Sequence, residues 1–210
     1  MYIPAHFAVT EAEKLASVIS RYSFAVLVTQ HDGAPFATHL PLLFTPDGKG
    51  GGTLEGHVAR ANPQWQDLAR GEEALAVFTG PHAYVSPSWY SEHPSVPTWN
   101  YVAVHAYGVA TLHEDAEWLG KLVRRLVAVY EAGQASPWQP ELPPDYERGM
   151  LRAIVGFELA ITRLEGKFKL SQNRTETDRQ GVHFALSSSE RNEDQRLAEA
   201  MAEEKLVTAD

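Results

Sequence analysis

The sequence predicts an α+β fold: a closed antiparallel β-barrel with peripheral helices and a helical C-terminal tail. Three observations predict it. Apolar, β-rich runs recur at 24–30, 36–44, 53–58, 74–79, 99–112 and 154–165, several of them joined by short turns. One long amphipathic helical pattern, Asp115 to about Ala132, interrupts them. From Thr175 onward the pattern is helical, in two segments joined by Ser187-Ser188-Ser189. A chain of 210 residues suits one principal domain, 1–174, with an extension over 175–210.

Each element has a local reason. Thr10 reads as the N-cap of a first helix, with Glu13 reaching back as its capping-box partner and the helix running to about Tyr22. Phe24 to Thr29 is a buried strand, and Asp32-Gly33 marks a tight hairpin. Pro41 within the second strand implies an edge or a bulge. Asn62 followed by Pro63 opens a short helix to about Arg70. Gly80-Pro81 separates strands at 74–79 and 83–86. Gly108 suggests a bulge or bend in the long strand 99–112. In the long helix, Trp118, Leu122, Leu126 and Val129 form one face. Pro137 to Pro144 is an irregular connector, and a short helix then leads into the last strand.

Composition narrows the function classes. The formal net charge is −9, which argues against broad phosphate-driven nucleic-acid binding while leaving room for a local basic patch. There is no cysteine, so thiolate metal sites, thiol nucleophiles and disulfides are excluded. The first residues lack the basic and apolar regions of a secretory signal. No apolar run approaches the ~20 residues of a membrane span. A soluble cytoplasmic protein with no membrane partner is the expectation.

The most unusual stretch lies between Ala74 and Leu112, where Glu92 is the one formal charge. Its middle holds Tyr84, Trp89, Tyr90, Trp99 and Tyr101 among Ser, Thr, Asn and Pro. Aromatic faces with neutral hydrogen-bonding groups suit a flat polar ligand; an aromatic core with ordered loops accounts for the same residues. Gly56 to Pro63 combines Arg60 with a helix start and could hold a phosphate, or be a capped helix with a solvent-facing arginine. His57, His82, His93 and His105 match no compact ligand spacing, so no metal is expected. Gly166 to Arg174 is basic and polar: an anion contact or a solvated turn. No P-loop, nucleophile elbow or dinucleotide fingerprint is present. From Ser187 to Asp210 seven acids face three bases, a poor balance for a DNA-reading helix.

Several strings together resemble the PaiB family, described as FMN-binding negative transcriptional regulators. They are MYIPAHF at the start, HLPL at His39, GHVARANPQW from Gly56, FTGPHAYVSPSWY from Phe78, VPTWNYVAVHAYG from Val96, IVGFELAI from Ile154 and LEGKFKLSQNR from Leu164. The resemblance implies a split barrel related to pyridoxamine-phosphate oxidases and flavin reductases, and a homodimer with FMN at the subunit interface. It implies Arg60 with Asn62 at the phosphate, and Thr38, His39 and Leu40 along the ring or ribityl chain. His57, Thr98, Trp99 and Asn100 would form the pocket wall, closed by Lys169, Ser171, Gln172 and Asn173. On this reading Arg60→Ala weakens FMN binding and leaves the fold intact. The implied function is transcriptional repression, with DNA met weakly, indirectly or through Lys167 to Arg174. The alternatives are an FMN-dependent oxidoreductase, with His39, His57 and His105 as candidate proton donors and no catalytic set assigned, or a haem-binding relative.

Overall fold

The structure, a computed structural model, describes residues 1–139 and 141–207. The elements in chain order are β1 (Ala8–Val9), α1 (Ala12–Arg21), β2 (Phe24–His31), β3 (Ala34–Pro41), β4 (Leu43–Pro46), β5 (Gly52–Ala59) and α2 (Gln64–Leu68). Then come β6 (Glu73–Val85), β7 (Thr98–His113), α3 (Ala116–Glu131), α4 (Pro144–Arg152), β8 (Ile154–Lys169), α5 (Glu176–Ser187) and α6 (Asn192–Glu203). The strands form one sheet in the order β3-β2-β6-β7-β8-β5-β4, with β1 added to β8. The registered pairs β1–β8, β2–β3, β2–β6, β4–β5 and β5–β8 are all antiparallel.

The chain divides into two compact units: Ile19–Val77 with Ala106–Leu164, and Met1–Val18 with Phe78–His105 and Glu165–Asp210. In the first of these, β3 and β4 stand at opposite ends of the strand path, yet Leu42 alone joins them. The path must therefore curl until its ends meet. Leu42 is 1 % exposed and its N–H donates to Ser23 O at 2.9 Å. α2 lies across this closure. The buried Gln64 amide donates to Leu27 O at 3.0 Å, Thr29 Oγ1 at 3.2 Å and Phe36 O at 3.3 Å. α3 buries Leu119, Leu122 and Leu126, and Arg125 holds the buried Glu55 of β5 through two bonds of 2.7 and 2.6 Å.

The other unit contains the N-terminal segment, the second part of β6, the first half of β7, the end of β8, and α5 with α6. Its core includes Phe78, Val85, Val102, Val104, Leu170, Val182, Leu186, Leu197 and Met201. Gly80 permits a close approach: a Cβ there would meet Val102 Cβ at 2.9 Å.

Several local expectations change. Glu11, rather than Glu13, reaches back, its Oε2 accepting from Thr10 N at 3.1 Å, and α1 begins at Ala12. β6 runs unbroken through Gly80-Pro81. Its registered pairing with β2 covers only Leu75–Val77, so Pro81 lies where no β2 partner needs its missing donor. The next N–H, of His82, donates instead to Glu193 Oε1 at 3.2 Å. Gly108 serves close packing: a Cβ there would lie 2.4 Å from Ala160 O. Val129 is 54 % exposed, outside the buried face of α3. The Asp32-Gly33 turn has the two positive φ angles, 48° and 79°, that a two-residue hairpin requires.

Gln64→Leu should lower stability by about 2–3 kcal/mol, because it strands buried carbonyls while keeping the volume. Urea unfolding should show a lower midpoint at unchanged slope. An unchanged midpoint would mean that α2 does not carry the closure.

Candidate functional site

The residues expected at a ligand fall into two groups, one in each unit. The first group lies where β7 begins and β8 ends. Adjacent antiparallel strands bring Thr98, Trp99 and Asn100 beside Lys169 and Ser171. Lys169 Nζ donates to Thr98 Oγ1 and to Trp99 O. Asn100 is buried; its Nδ2 donates to Ser171 Oγ at 2.8 Å, and its Oδ1 is buried with no hydrogen-bond partner. Ser171 takes φ 67°, which turns the chain sharply after β8. Thr98, Asn100, Lys169, Ser171 and Asn173 line a cleft of about 140 Å³, with Tyr90, Val96, Pro97 and Arg174.

Two members of that group behave differently from expectation. The Gln172 amide is committed to its own turn, Nε2 donating to Phe168 O and Oε1 accepting from Leu170 N at 2.7 Å. The Trp99 ring is 50 % exposed and meets Tyr84 edge-on, with centroids 6.1 Å apart.

Outside the expected set, Arg174 and Asp178 fix the geometry of this cleft. Arg174 stacks on Tyr90 at 4.3 Å and donates to Ser95 Oγ at 3.3 Å. Asp178, on α5, is fully buried, and its Oδ1 accepts from Ser91 N at 2.7 Å, Ser91 Oγ at 2.9 Å and Glu92 N at 3.2 Å. It thereby ties down the loop that carries Tyr90, Val96 and Pro97. Burial pushes the Asp178 carboxyl up, but the bonds from Ser91 and Glu92 and the charge of Arg174 outweigh this and hold it below the usual carboxylate value. The only sequence signal for Asp178 is the Thr175-x-x-Asp spacing of a helix start, which hides its second role.

The second group does not converge on one point. Asn62 donates to Thr38 Oγ1 at 2.9 Å and accepts from Gln64 N at 3.0 Å. Arg60 turns to other partners: Nε to Arg152 O at 2.9 Å, one terminal nitrogen to Ile154 O at 3.1 Å, the other to Glu114 at 2.6 Å. This arginine fastens the end of β5 rather than standing spare. Leu40 is a core side chain, 4 % exposed, so only its backbone is available to a ligand. His39 is exposed beside Phe24, with ring centroids 6.3 Å apart. His57 is half-buried, and desolvation lowers its pKa, so the ring is held towards its neutral form.

The segment Lys167 to Arg174 is not an outward basic patch. Lys167 is 7 % exposed and donates to Tyr2 O at 3.0 Å. Lys169 and Arg174 turn into the cleft just described.

Residues 1–163 match the family model described as "Putative FMN-binding domain". The chain belongs to this family. It is 41% identical over 208 residues, 98% of each chain, to "Protease synthase and sporulation protein PAI 2" of Bacillus subtilis, a PaiB relative. The fold is shared with the flavocytochrome Anf3 of Azotobacter vinelandii at a TM-score of 0.61 and 16% identity, covering 83% of this chain and 73% of that one. It is shared also with an FAD- and haem-binding protein of Mycobacterium smegmatis at 0.60 and 18%, covering 77% and 73%. The fold class is therefore the α+β split barrel, and the cofactor is FMN. Among the described residues no helix is long and apolar enough to cross a membrane.

The first group fits FMN chemically. FMN offers an anionic phosphate, an imide donor and carbonyl acceptors; the cleft offers two cations, a sealed acceptor without a partner at Asn100 Oδ1, and hydroxyl groups. Its volume is below the ~300 Å³ at which ligand pockets ordinarily begin, too small to enclose a whole FMN molecule.

Asp178→Ala should cost about 1–3 kcal/mol and release the loop that walls this FMN-binding domain's cleft. Amide exchange at Ser91 and Glu92 should accelerate by tenfold or more. Because the native carboxyl is depressed, its contribution stays intact at neutral pH and is lost as pH falls below about 3.8. Unchanged exchange at both amides would remove Asp178 from this role.

Proposed function

We propose that this protein is an FMN-binding regulator of the PaiB type, a homodimer that acts in transcriptional repression and holds flavin at its subunit interface. One observation carries the reading: an acidic chain collects Lys169 and Arg174 around a small cleft with the sealed, unpartnered oxygen of Asn100. Cations withdrawn from the surface into a cleft are of use to an anionic ligand there. The small volume supports completion of the site by a second subunit. Lys169 and Arg174 bind the anionic end, Asn100 accepts a ligand N–H, and Asp178 positions the loop. When bound, the flavin supplies a two-electron redox centre whose state a regulator can report. Thr38, His39, His57, Arg60 and Asn62 stand as a separate group of candidate contacts, and residues 175–207 act as an extension that fixes the cleft wall. The inward turn of Lys167, Lys169 and Arg174 supports weak or indirect DNA contact in a cytoplasmic setting.

Burial lowers the Lys169 pKa, and the charges of Lys167 and Arg174 lower it further from the ordinary value near 10.5. FMN affinity should therefore fall as pH rises through that depressed value, below 10.5, because the protonated amine is the form that binds an anion. Lys169→Met should weaken FMN binding tenfold or more, on the scale of a charge-assisted hydrogen bond, and riboflavin, which lacks the phosphate, much less. Fluorescence titration of both flavins checks this. Equal losses would place Lys169 at the ring, and no loss would move the phosphate away from this cleft.

The regulatory reading is checked on the purified, FMN-loaded protein. Light scattering should give a dimer of about 47 kDa, twice the 23.3 kDa chain. Gel shifts at about 150 mM salt should show no tight sequence-selective DNA complex without a further partner. Rapid bleaching of the flavin by NAD(P)H would favour the oxidoreductase reading instead.

A further inference from the structure

A second cavity shares no residue with the Lys169 cleft. It encloses about 580 Å³ in the unit that carries α3 and α4. Small residues leave the space: Ala59, Gly120 and Ala153 all line it. Most of its larger lining residues are apolar, among them Val127, Leu142 and Met150. Protein interiors hold few voids larger than a water molecule, and this volume lies within the range of small-molecule pockets.

The polar groups present carry little net charge. Arg124 and Glu147 pair at 3.5 Å, both more than 40 % exposed, so they stand at the rim and neutralise one another. Arg124 folds back over Gly120, where a Cβ would lie 3.3 Å from both terminal nitrogens. His57 lines the same cavity, and its burial favours the neutral ring. Among the described lining residues no charged group is left over to meet a charged ligand. Trp138 and Met150, each 49 % exposed, add apolar surface that a ligand would cover.

We propose that this cavity is a binding site for an uncharged, largely apolar small molecule, separate from the Lys169 cleft, and that His57 faces this guest rather than flavin. Apolar surface lining a cleft favours an apolar guest that removes it from water, whereas a charged guest finds no uncompensated partner there. The site would let the protein respond to a hydrophobic compound through α3 and α4. It stands independently of the assignment of Lys169 to FMN.

The probe is N-phenyl-1-naphthylamine, a neutral aromatic whose emission rises and shifts blue in apolar surroundings. Full-length protein should bind it saturably, one per chain, and at least tenfold more tightly than the anionic 8-anilinonaphthalene-1-sulfonate. Equilibrium dialysis should give the same affinity with and without saturating FMN. Val127→Trp fills the space from α3 and Met150→Trp fills it from the half-exposed face of α4, where folding is not at stake. Each should weaken binding at least tenfold and leave FMN affinity unchanged. Four results would overturn the proposal: no saturable binding, equal affinity for the anionic probe, displacement by FMN, or full binding by both tryptophan variants. Binding that falls as protein concentration rises would also overturn it, because a second copy of the chain would then occupy the cavity.

Discussion

Leu42 is the shortest connection in the chain between strands and the one with the largest consequence. It joins β3 to β4, although six hydrogen-bonded steps around the sheet separate them. A strand path whose ends are tied by one buried residue cannot lie open, and closure removes exposed edges that would otherwise pair with other chains. Residues 62–64, further along the chain, fit the resulting space: the Gln64 amide satisfies carbonyls on β2 and β3, and Asn62 reaches Thr38. The end of β5 is held separately, through the Arg60 guanidinium and its backbone N–H to Ala153 O.

Strand and helix positions are largely legible, since the apolar β-rich runs, Asp32-Gly33 and the amphipathic pattern after Asp115 each carry a local physical meaning. The cap that starts this helix, Asp115 accepting from Trp118 N at 2.8 Å, appears only in the structure. Legibility failed where a distant partner decides. Proline at 81 reads as a strand break unless one knows that the β2 pairing has ended there. Val129 fits the periodic stripe, but nothing packs over it closely enough to bury it. At the site, Thr98, Asn100, Lys169 and Ser171 were identifiable as a set only through the family resemblance, and the structure gathers them. Arg60 reads as a phosphate ligand or a solvent-facing arginine because sequence does not reveal that Arg152, Ile154 and Glu114 supply its acceptors.

The distribution of positive charge is the other organising theme. The net charge is −9, yet Lys167, Lys169 and Arg174 cluster within eight residues and turn inward. The outer surface therefore disfavours polyanions at long range, whereas a small anion that reaches the cleft meets cations at short range and in poor solvent. That combination discriminates by size: a single phosphate group can enter where a nucleic-acid backbone cannot pass.

The tie from Asp178 to Ser91 and Glu92 spans 87 and 86 positions of sequence. Chain synthesis proceeds from the N-terminus, and earlier segments begin to fold while later ones are still being made. The aromatic loop beside β7 therefore exists for a time with its anchor not yet translated. During that interval Tyr90 and its neighbours have no fixed wall to form. The cleft is thus among the last features of each new molecule to be completed, and its wall stands only once α5 has been made and seated.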